Sequence, residues 1–193
     1  MAVAVTVRLL GVPVRVTFPF SALITLLLYI DRTGLMGYSL LAVILHELGH
    51  LAAMHTVKAK PKEFLLSLRG ILIVSPTLPD APQRLWVAVA GPLSNALCGG
   101  LFFLFGCKVA AAVQWIVALY NLLPIRGLDG GSILEALLCL CGAGEKEWIL
   151  TLCSFFTAGV VFVLGIQLLL LNGSNISLLL LGVYLLFLNL LKV

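Results

Sequence analysis

The sequence predicts an all-α polytopic membrane protein with about six transmembrane helices and a small β-sheet at the cytoplasmic membrane surface. Of its 193 residues, 62% belong to the hydrophobic set AVILMFWYC and 10% are charged, whereas a soluble domain has about 45–50% apolar and about 25% charged residues. A compact soluble chain of this length cannot hide so much apolar surface from water. We therefore expect a single transmembrane domain over residues 1–193.

Apolar runs of helical length define the expected spans, because about 20 apolar residues cross a bilayer core as an α-helix. The run that starts at Phe18 is cut short by Asp31 and Arg32. The approximate spans are 18–30, 35–57, 85–106, 109–125 continuing after a break through 133–141, 148–171 and 176–191.

Two segments have the pattern of β-strands instead. Within residues 1–17, the stretch from Val3 to Arg8 alternates with period two, and residues 63–74 contain short apolar runs around Arg69-Gly70. Such patterns predict strands. Both segments fall on the predicted cytoplasmic side, where they form either a small sheet or amphipathic segments packed at the membrane interface.

The charges favour a multi-pass protein with cytoplasmic termini. The net charge of +4 is small and its basic residues are scattered, so we expect no nucleic-acid partner. Cytoplasmic loops are rich in Lys and Arg, and cytoplasmic termini put ten of the twelve basic residues inside, with Arg32 and Lys108 outside. The ten are Arg8, Arg15, Lys58, Lys60, Lys62, Arg69, Arg84, Arg126, Lys146 and Lys192. The five cysteines lie in apolar stretches and are interpreted as small buried hydrophobes.

The second span contains the motif His46-Glu47-Leu48-Gly49-His50. Ionisable residues inside a span are costly and indicate function. Two histidines four residues apart share a helix face and can hold one Zn²⁺, while Glu47 can accept a proton from a water at the metal. The alternative is two neutral histidines and a protonated glutamate that bond across helices. His55 points to another face and is assigned a structural or interfacial role.

The depth of this motif requires access for water. His50 and His46 precede Val57, the expected end of the span, by seven and eleven residues. At about 1.5 Å per residue, the metal lies on the order of 10–16 Å below the cytoplasmic surface. We therefore expect a cavity that opens to the cytoplasm.

The segment from Asn121 to Gly131 offers a third ligand, since a catalytic zinc takes three protein ligands and keeps one position open. Pro124 and Gly127 interrupt the fourth span close to Asp129. Non-helical backbone at membrane depth lines a cavity or is buried in protein, which favours Asp129 as the third ligand. The alternative is a surface turn, because Asp-Gly is a common turn pair.

A further motif, Ala90-Gly-Pro-Leu-Ser-Asn95, lies in the third span. Gly91-Pro92 can kink the helix and Asn95 is a buried amide. Asn95 either orients a substrate carbonyl or stabilises an oxyanion, or the segment is a packing kink with interhelical hydrogen bonds.

In combination, these motifs resemble the site-2 protease family of intramembrane zinc metalloproteases, peptidase family M50, over nearly the whole chain. The resemblance rests on the histidine motif, on Gly91-Pro92 with Asn95, and on Asn121-Leu-Leu-Pro124 followed by Leu128-Asp129-Gly130. It implies that zinc is bound by His46, His50 and Asp129, that Glu47 is the general base and that Asn95 lies beside the active site. Asn121 matches the family motif and is assigned a structural or substrate-contact role.

Within the family, the chain looks most like the stage IV sporulation protein FB group, without the C-terminal CBS domain of many members. The connection between Lys58 and Arg84 is too short for an inserted PDZ domain, and Gly127 stands where the motif usually has proline. This similarity implies a membrane-associated sigma-factor precursor as substrate, and inhibitory membrane proteins as partners.

The expected function is therefore that of a metalloendopeptidase with one Zn²⁺ per chain. It would hydrolyse peptide bonds within or next to membrane segments of substrate proteins, as in regulated intramembrane proteolysis. The strand-like segment 63–74 can accept an unwound substrate as an added strand. The alternatives are a divalent-metal transporter, since membrane His and Asp residues also line ion pathways, and a catalytically inactive membrane scaffold.

Overall fold

The fold is mainly helical, with one small sheet. The computed structural model describes residues 4–9, 12–67, 70–74, 80–142, 147–172 and 176–190. The helices in these residues are α1 (Phe18–Ile30), α2 (Leu35–Thr56), α3 (Ala81–Leu104), α4 (Lys108–Asn121), α5 (Asp129–Leu140), α6 (Glu147–Asn172) and α7 (Ser177–Leu190). The basic residues Arg69, Lys146 and Lys192, used above for orientation, lie outside the described residues.

The predicted sheet is confirmed and has four strands in the order β1-β2-β3-β4. The strands are β1 (Ala4–Leu9), β2 (Val12–Thr17), β3 (Glu63–Ser67) and β4 (Gly70–Val74). The two outer pairs are antiparallel, whereas β2 and β3 are parallel. An ion pair of 3.1 Å from Arg15 Nε to Glu63 Oε1 joins the central strands. Residues 10–11, between β1 and β2, and residues 68–69, between β3 and β4, lie outside the described residues.

Asp31 separates the first two helices. Its carboxylate accepts hydrogen bonds from the Thr33 hydroxyl (2.7 Å) and from the backbone N–H groups of Met36, Thr33 and Gly34 (2.8, 2.9 and 3.0 Å). The donors favour the ionised form, and they lower the pKa of Asp31 from 3.8 to about 2, with the Thr33 hydroxyl as the largest cause. The carboxylate thus organises the turn that leads into α2.

Three of the described helices, α2, α3 and α6, are long and apolar enough to cross a membrane. The expectation of about six spans is therefore met only in part. The apolar helices α1 and α7 have 13 and 14 residues, so they are about 20 Å long, against a bilayer core of about 30 Å. The fourth expected span is divided between α4 and α5, of 14 and 12 residues.

The segment between α4 and α5 comprises residues 122–128 and contains the positive φ of 87° at Gly127. Helix α5 begins at Asp129, four residues before the start expected from sequence. By contrast, α3 continues through Pro92 without an interruption.

Apart from α1, which contacts strands β2 and β3, the described helices form two groups. Helices α2, α3 and α4 pack on one another with α5 against α3, while α6 packs mainly on α7. Close backbone approach requires glycine at Gly165 of α6, where a Cβ would lie 2.6 Å from Leu179 of α7. The α4–α5 segment lies between the two groups, because the fully buried Ile125 packs with Ala158 and Leu185.

The interpretation of the cysteines as buried residues is wrong. All five are free thiols, of which Cys98 and Cys153 are half-buried and Cys107, Cys139 and Cys141 are exposed. A small apolar side chain on a membrane protein needs no burial in protein, because the surrounding lipid is itself an apolar solvent.

Candidate functional site

Two helices that are distant in the sequence bring His46, His50 and Asp129 together. His46 Nε2 lies 2.8 Å from Asp129 Oδ2, and His50 Nε2 lies 3.3 Å from Asp129 Oδ1. The two Nε2 atoms are 3.1 Å apart. The side chains are only 6%, 11% and 18% exposed, in the order His46, His50 and Asp129.

The hydrogen bond on the far side of His50 shows that its Nε2 faces the group as an electron-pair donor. His50 Nδ1 lies 2.7 Å from the carbonyl oxygen of Val87. A carbonyl oxygen only accepts, so Nδ1 carries the hydrogen. In the neutral imidazole, Nε2 then has a lone pair, and it faces a second imidazole nitrogen and a carboxylate. With this tautomer, Nε2 of His50 can donate its lone pair to a cation held between the three side chains.

The separations of the three groups fit a zinc ion. Tetrahedral zinc with bonds of about 2.0–2.1 Å places neighbouring ligand atoms about 3.3 Å apart. The separations in this group are 2.8, 3.1 and 3.3 Å. Two imidazoles and one carboxylate also form the donor set of catalytic zinc sites that leave a fourth position open. His46, His50 and Asp129 are thus suited to hold zinc.

Gly91 of α3 closes one side of this group. A Cβ at position 91 would collide with Nε2 of His50, and it would lie 2.6 Å from His50 Cε1 and 2.8 Å from His46 Nε2. No side chain of any size fits at this position unless the rings move. The backbone of α3 therefore packs directly on the two imidazoles, and Val87 on the same helix orients one of them.

The first turn of α5 is held against the α4–α5 segment by two further glycines. A Cβ at Gly130 would collide with the carbonyl oxygens of Leu122 and Leu123, and one at Gly131 would collide with the Ile125 carbonyl. This close approach is possible only without side chains. It places Asp129, which immediately precedes the two glycines, at the end of the helix that faces α2.

Glu47 lies next to the group. It is half-buried, and it interacts electrostatically with His50, His46 and Asp129. A carboxylate that follows the first histidine by one residue, and precedes the second by three, faces the same region of α2. It is therefore suited to exchange a proton with a water molecule beside the three-residue group.

The other residues singled out from sequence lie outside this group. Asn95 is fully buried one turn beyond Gly91, and its amide has no hydrogen-bond partner among the described residues. Asn121 Nδ2 donates to the Val117 carbonyl in its own helix at 3.0 Å. His55 is exposed in the last turn of α2. The catalytic role of Asn95 stays a prediction.

Two residues that contact the histidines were not predicted to do so from the sequence. Gly91 was predicted as a possible kink, whereas its backbone packs on both imidazoles. Its position one helical turn before the buried amide of Asn95 was the feature of the sequence that could have indicated this contact. Nothing in the sequence indicates that the Val87 carbonyl binds His50, because every residue has a backbone carbonyl whatever its side chain.

Of three comparisons with known proteins, the one with solved structures agrees with this architecture. The sequence matches no protein-family model and no curated protein. The structure is similar to that of a site-2 protease from Methanocaldococcus jannaschii, with a TM-score of 0.66 and 21% sequence identity over 98% of this chain and 95% of that chain. The chain therefore has the site-2 protease fold, and its His-His-Asp group lies inside that fold.

Proposed function

We propose that this protein is an intramembrane zinc metalloprotease of the site-2 type, a metalloendopeptidase that cleaves other membrane proteins. The observation that carries the proposal is the convergence of His46, His50 and Asp129, with atom separations of 2.8–3.3 Å. An ionisable side chain inside a membrane span is energetically costly, so the convergence of three such side chains indicates a shared function. The similarity to the site-2 protease structure supports the same activity.

Each residue of the site has a separate role in the proposed peptide hydrolysis. A zinc ion held by His46, His50 and Asp129 would polarise the scissile carbonyl and make water a better nucleophile near neutral pH. Glu47 accepts the proton of the attacking water and delivers it to the leaving nitrogen. Asn95, one turn beyond Gly91, is proposed to orient the substrate carbonyl or its oxyanion.

The substrate must present extended backbone to this site. Carbonyl groups in a helix are engaged in the helix's own hydrogen bonds, so the substrate segment has to unwind locally. Strand β4 lies at one edge of the four-stranded order, and an edge strand pairs readily with an added strand. We propose that the unwound segment binds there, and that helix-breaking residues near the cut site assist cleavage.

The proposal includes a topology. Six spans, with the bilayer thinned around the short helices α1 and α7, put both termini in the cytoplasm and open the site to that side. The excess of Lys and Arg in the corresponding loops supports this orientation. The proposal also includes a substrate. The resemblance of the sequence to the stage IV sporulation protein FB group suggests a membrane-associated sigma-factor precursor in sporulation, with inhibitory membrane proteins as partners.

The decisive test is Glu47→Gln. The variant should keep zinc, because Glu47 is not a ligand, and it should lose cleavage of a co-expressed membrane-tethered substrate, followed by fragment size. Glu135→Gln is the matched control, since Glu135 is an exposed glutamate later in α5, and it should cleave normally. Retained cleavage by Glu47→Gln would contradict the mechanism. Zinc uptake into vesicles without proteolysis would identify the chain as a transporter.

A further inference from the structure

The α4–α5 segment is fastened to α6 on both sides of Ile125. Ile125 is fully buried against Ala158 of α6 and Leu185 of α7. Its two neighbours, Pro124 and Arg126, each engage the same side chain of α6 through their backbone atoms. The segment that precedes Asp129 is therefore docked on the α6–α7 pair by the buried Ile125 side chain and two flanking polar contacts.

Ser154 makes both of these polar contacts. Its Oγ accepts a hydrogen bond of 2.9 Å from the backbone N–H of Arg126 and donates one of 3.3 Å to the carbonyl of Pro124. A hydroxyl has one donor and two acceptor positions, so it can serve both groups at once. Ser154 is fully buried, and in an apolar interface an unmet backbone group is costly. The two bonds thus fix the segment in one place.

The side chain of Arg126 adds a second connection to α6. Nη1 donates to Glu147 Oε1 and Nη2 donates to Thr151 Oγ1, each at 3.0 Å. The planar fork of a guanidinium engages two acceptors in a defined geometry. Arg126 therefore bonds to α6 through its backbone and through both ends of its fork.

The docked residues bear directly on the proposed third ligand. The carbonyl oxygen of Ile125 and the Cα of Arg126 are packed against Gly131, where no Cβ would fit. Gly131 lies in the first turn of α5, two residues after Asp129. A displacement of residues 124–126 must therefore move that turn, and the Asp129 carboxylate with it. A zinc ligand tolerates displacements of only about 0.2 Å.

We propose that Ser154 and Arg126 are positioning residues that set the Asp129 carboxylate for metal binding, and that docking of the α4–α5 segment on α6 and metal affinity are thermodynamically linked. The inference rests on the proposed function. It adds that the strength of the metal site depends on helices that supply no ligand. A movement of the α6–α7 pair away from this segment weakens the site.

The test compares zinc affinity in purified full-length variants in detergent, by competition with a chromogenic chelator. Ser154→Ala should weaken zinc binding about 10-fold, the lower end of the effect of residues that orient ligands. The matched control is Trp115→Ala, because the Trp115 indole of α4 donates to the Ala96 carbonyl of α3 and packs on Phe103 of the same helix. It should lower thermal stability without changing zinc affinity.

The second measurement is the visible spectrum of the Co²⁺-substituted protein, which reports the ligand set rather than stability. The spectrum of Ser154→Ala should shift toward that of Asp129→Asn, and that of Trp115→Ala should match the wild type. Arg126→Gln replaces Ser154→Ala in both measurements if that variant does not fold, and it should show the same direction of change.

Three outcomes separate the two proposals. A wild type that binds no zinc refutes the proposed function. A wild type that binds zinc and cleaves, with unchanged affinity and Co²⁺ spectrum in Ser154→Ala and Arg126→Gln, refutes the positioning role alone. Equal losses of zinc affinity in Ser154→Ala and Trp115→Ala also refute it, because the effect is then one of general stability.

Discussion

Replacing Gly91 by alanine should destroy the metal site without unfolding the protein. Gly91 lies on α3 and contacts both histidines through its backbone, so the new methyl group would enter the space between α3 and the imidazoles. It would lie 2.6 Å from His50 Cε1 and 2.8 Å from His46 Nε2, and it would collide with His50 Nε2. Either the rings or the helix must move.

The required movement exceeds what the metal site tolerates. Non-bonded carbon atoms have their best separation at about 3.5–4.0 Å, so contact at 2.6 Å has to open by about 0.9 Å. Ligand distances in a working zinc site stay within about 0.2 Å of their ideal values. The loss of zinc affinity should therefore exceed the about 10–100-fold typical of residues behind the ligands.

The assay is zinc stoichiometry and affinity of the purified protein, with thermal unfolding as the measure of folding. Gly100→Ala is the matched control, because Gly100 lies on the same helix and a Cβ there has open space. It should keep full zinc binding and gain up to about 1 kcal/mol of helix stability. Wild-type zinc affinity in Gly91→Ala would refute the geometry of the site.

Three further predictions concern the turn before Asp129, the turn that leads into α2 and the metal. Gly127→Pro should abolish zinc binding, because proline holds φ near −65° whereas Gly127 has a φ of 87°. Gly127→Ala should lower the free energy of unfolding by about 1–2 kcal/mol. Zinc content measures the first effect and thermal unfolding the second. Asp31→Asn should lower stability at neutral pH. The lowered pKa of Asp31 makes its contribution fully present above about 3.8 and lost as the pH falls through about 2, so unfolding curves of wild type and variant should converge in acid; a constant difference would contradict this role. Chelation of the metal should stop cleavage and added Zn²⁺ should restore it, whereas Glu47→Gln should stay inactive in the same fragment assay.

The sequence alone predicted the three residues of the proposed metal site because each carries its own signal. His46 and His50 are polar residues at helical spacing in an apolar span, and Asp129 follows a Pro- and Gly-rich break at membrane depth. Ionisable side chains are energetically costly inside a membrane span, so their presence there indicates a function. The structure brings these three side chains together and places the break at residues 122–128.

The supporting contacts were not predictable, because they depend on tertiary geometry. Val87 and Gly91 act through backbone atoms or through the lack of a side chain. In the sequence, Ser154 looks like any other polar residue in an apolar helix. Its hydroxyl gains its two partners, the Arg126 N–H and the Pro124 carbonyl, only because Ile125 docks beside it.

The span count was less predictable for a related reason. Hydropathy reports how apolar a run is, whereas the length of a helix depends on where its backbone bonds end. Asp31 and the break before Asp129 divide apolar sequence into helices shorter than a bilayer core. The same apolar composition also gave no information on which cysteines are half-buried in the protein and which are exposed.

Anomalous diffraction at the zinc edge from crystals of the whole chain tests whether His46, His50 and Asp129 bind one metal ion. We expect one strong peak per chain, within about 2.0–2.2 Å of His46 Nε2, His50 Nε2 and an Asp129 carboxylate oxygen. Crystals grown with Zn²⁺ that show no peak there, or that show Asp129 turned away from both imidazoles, would contradict it.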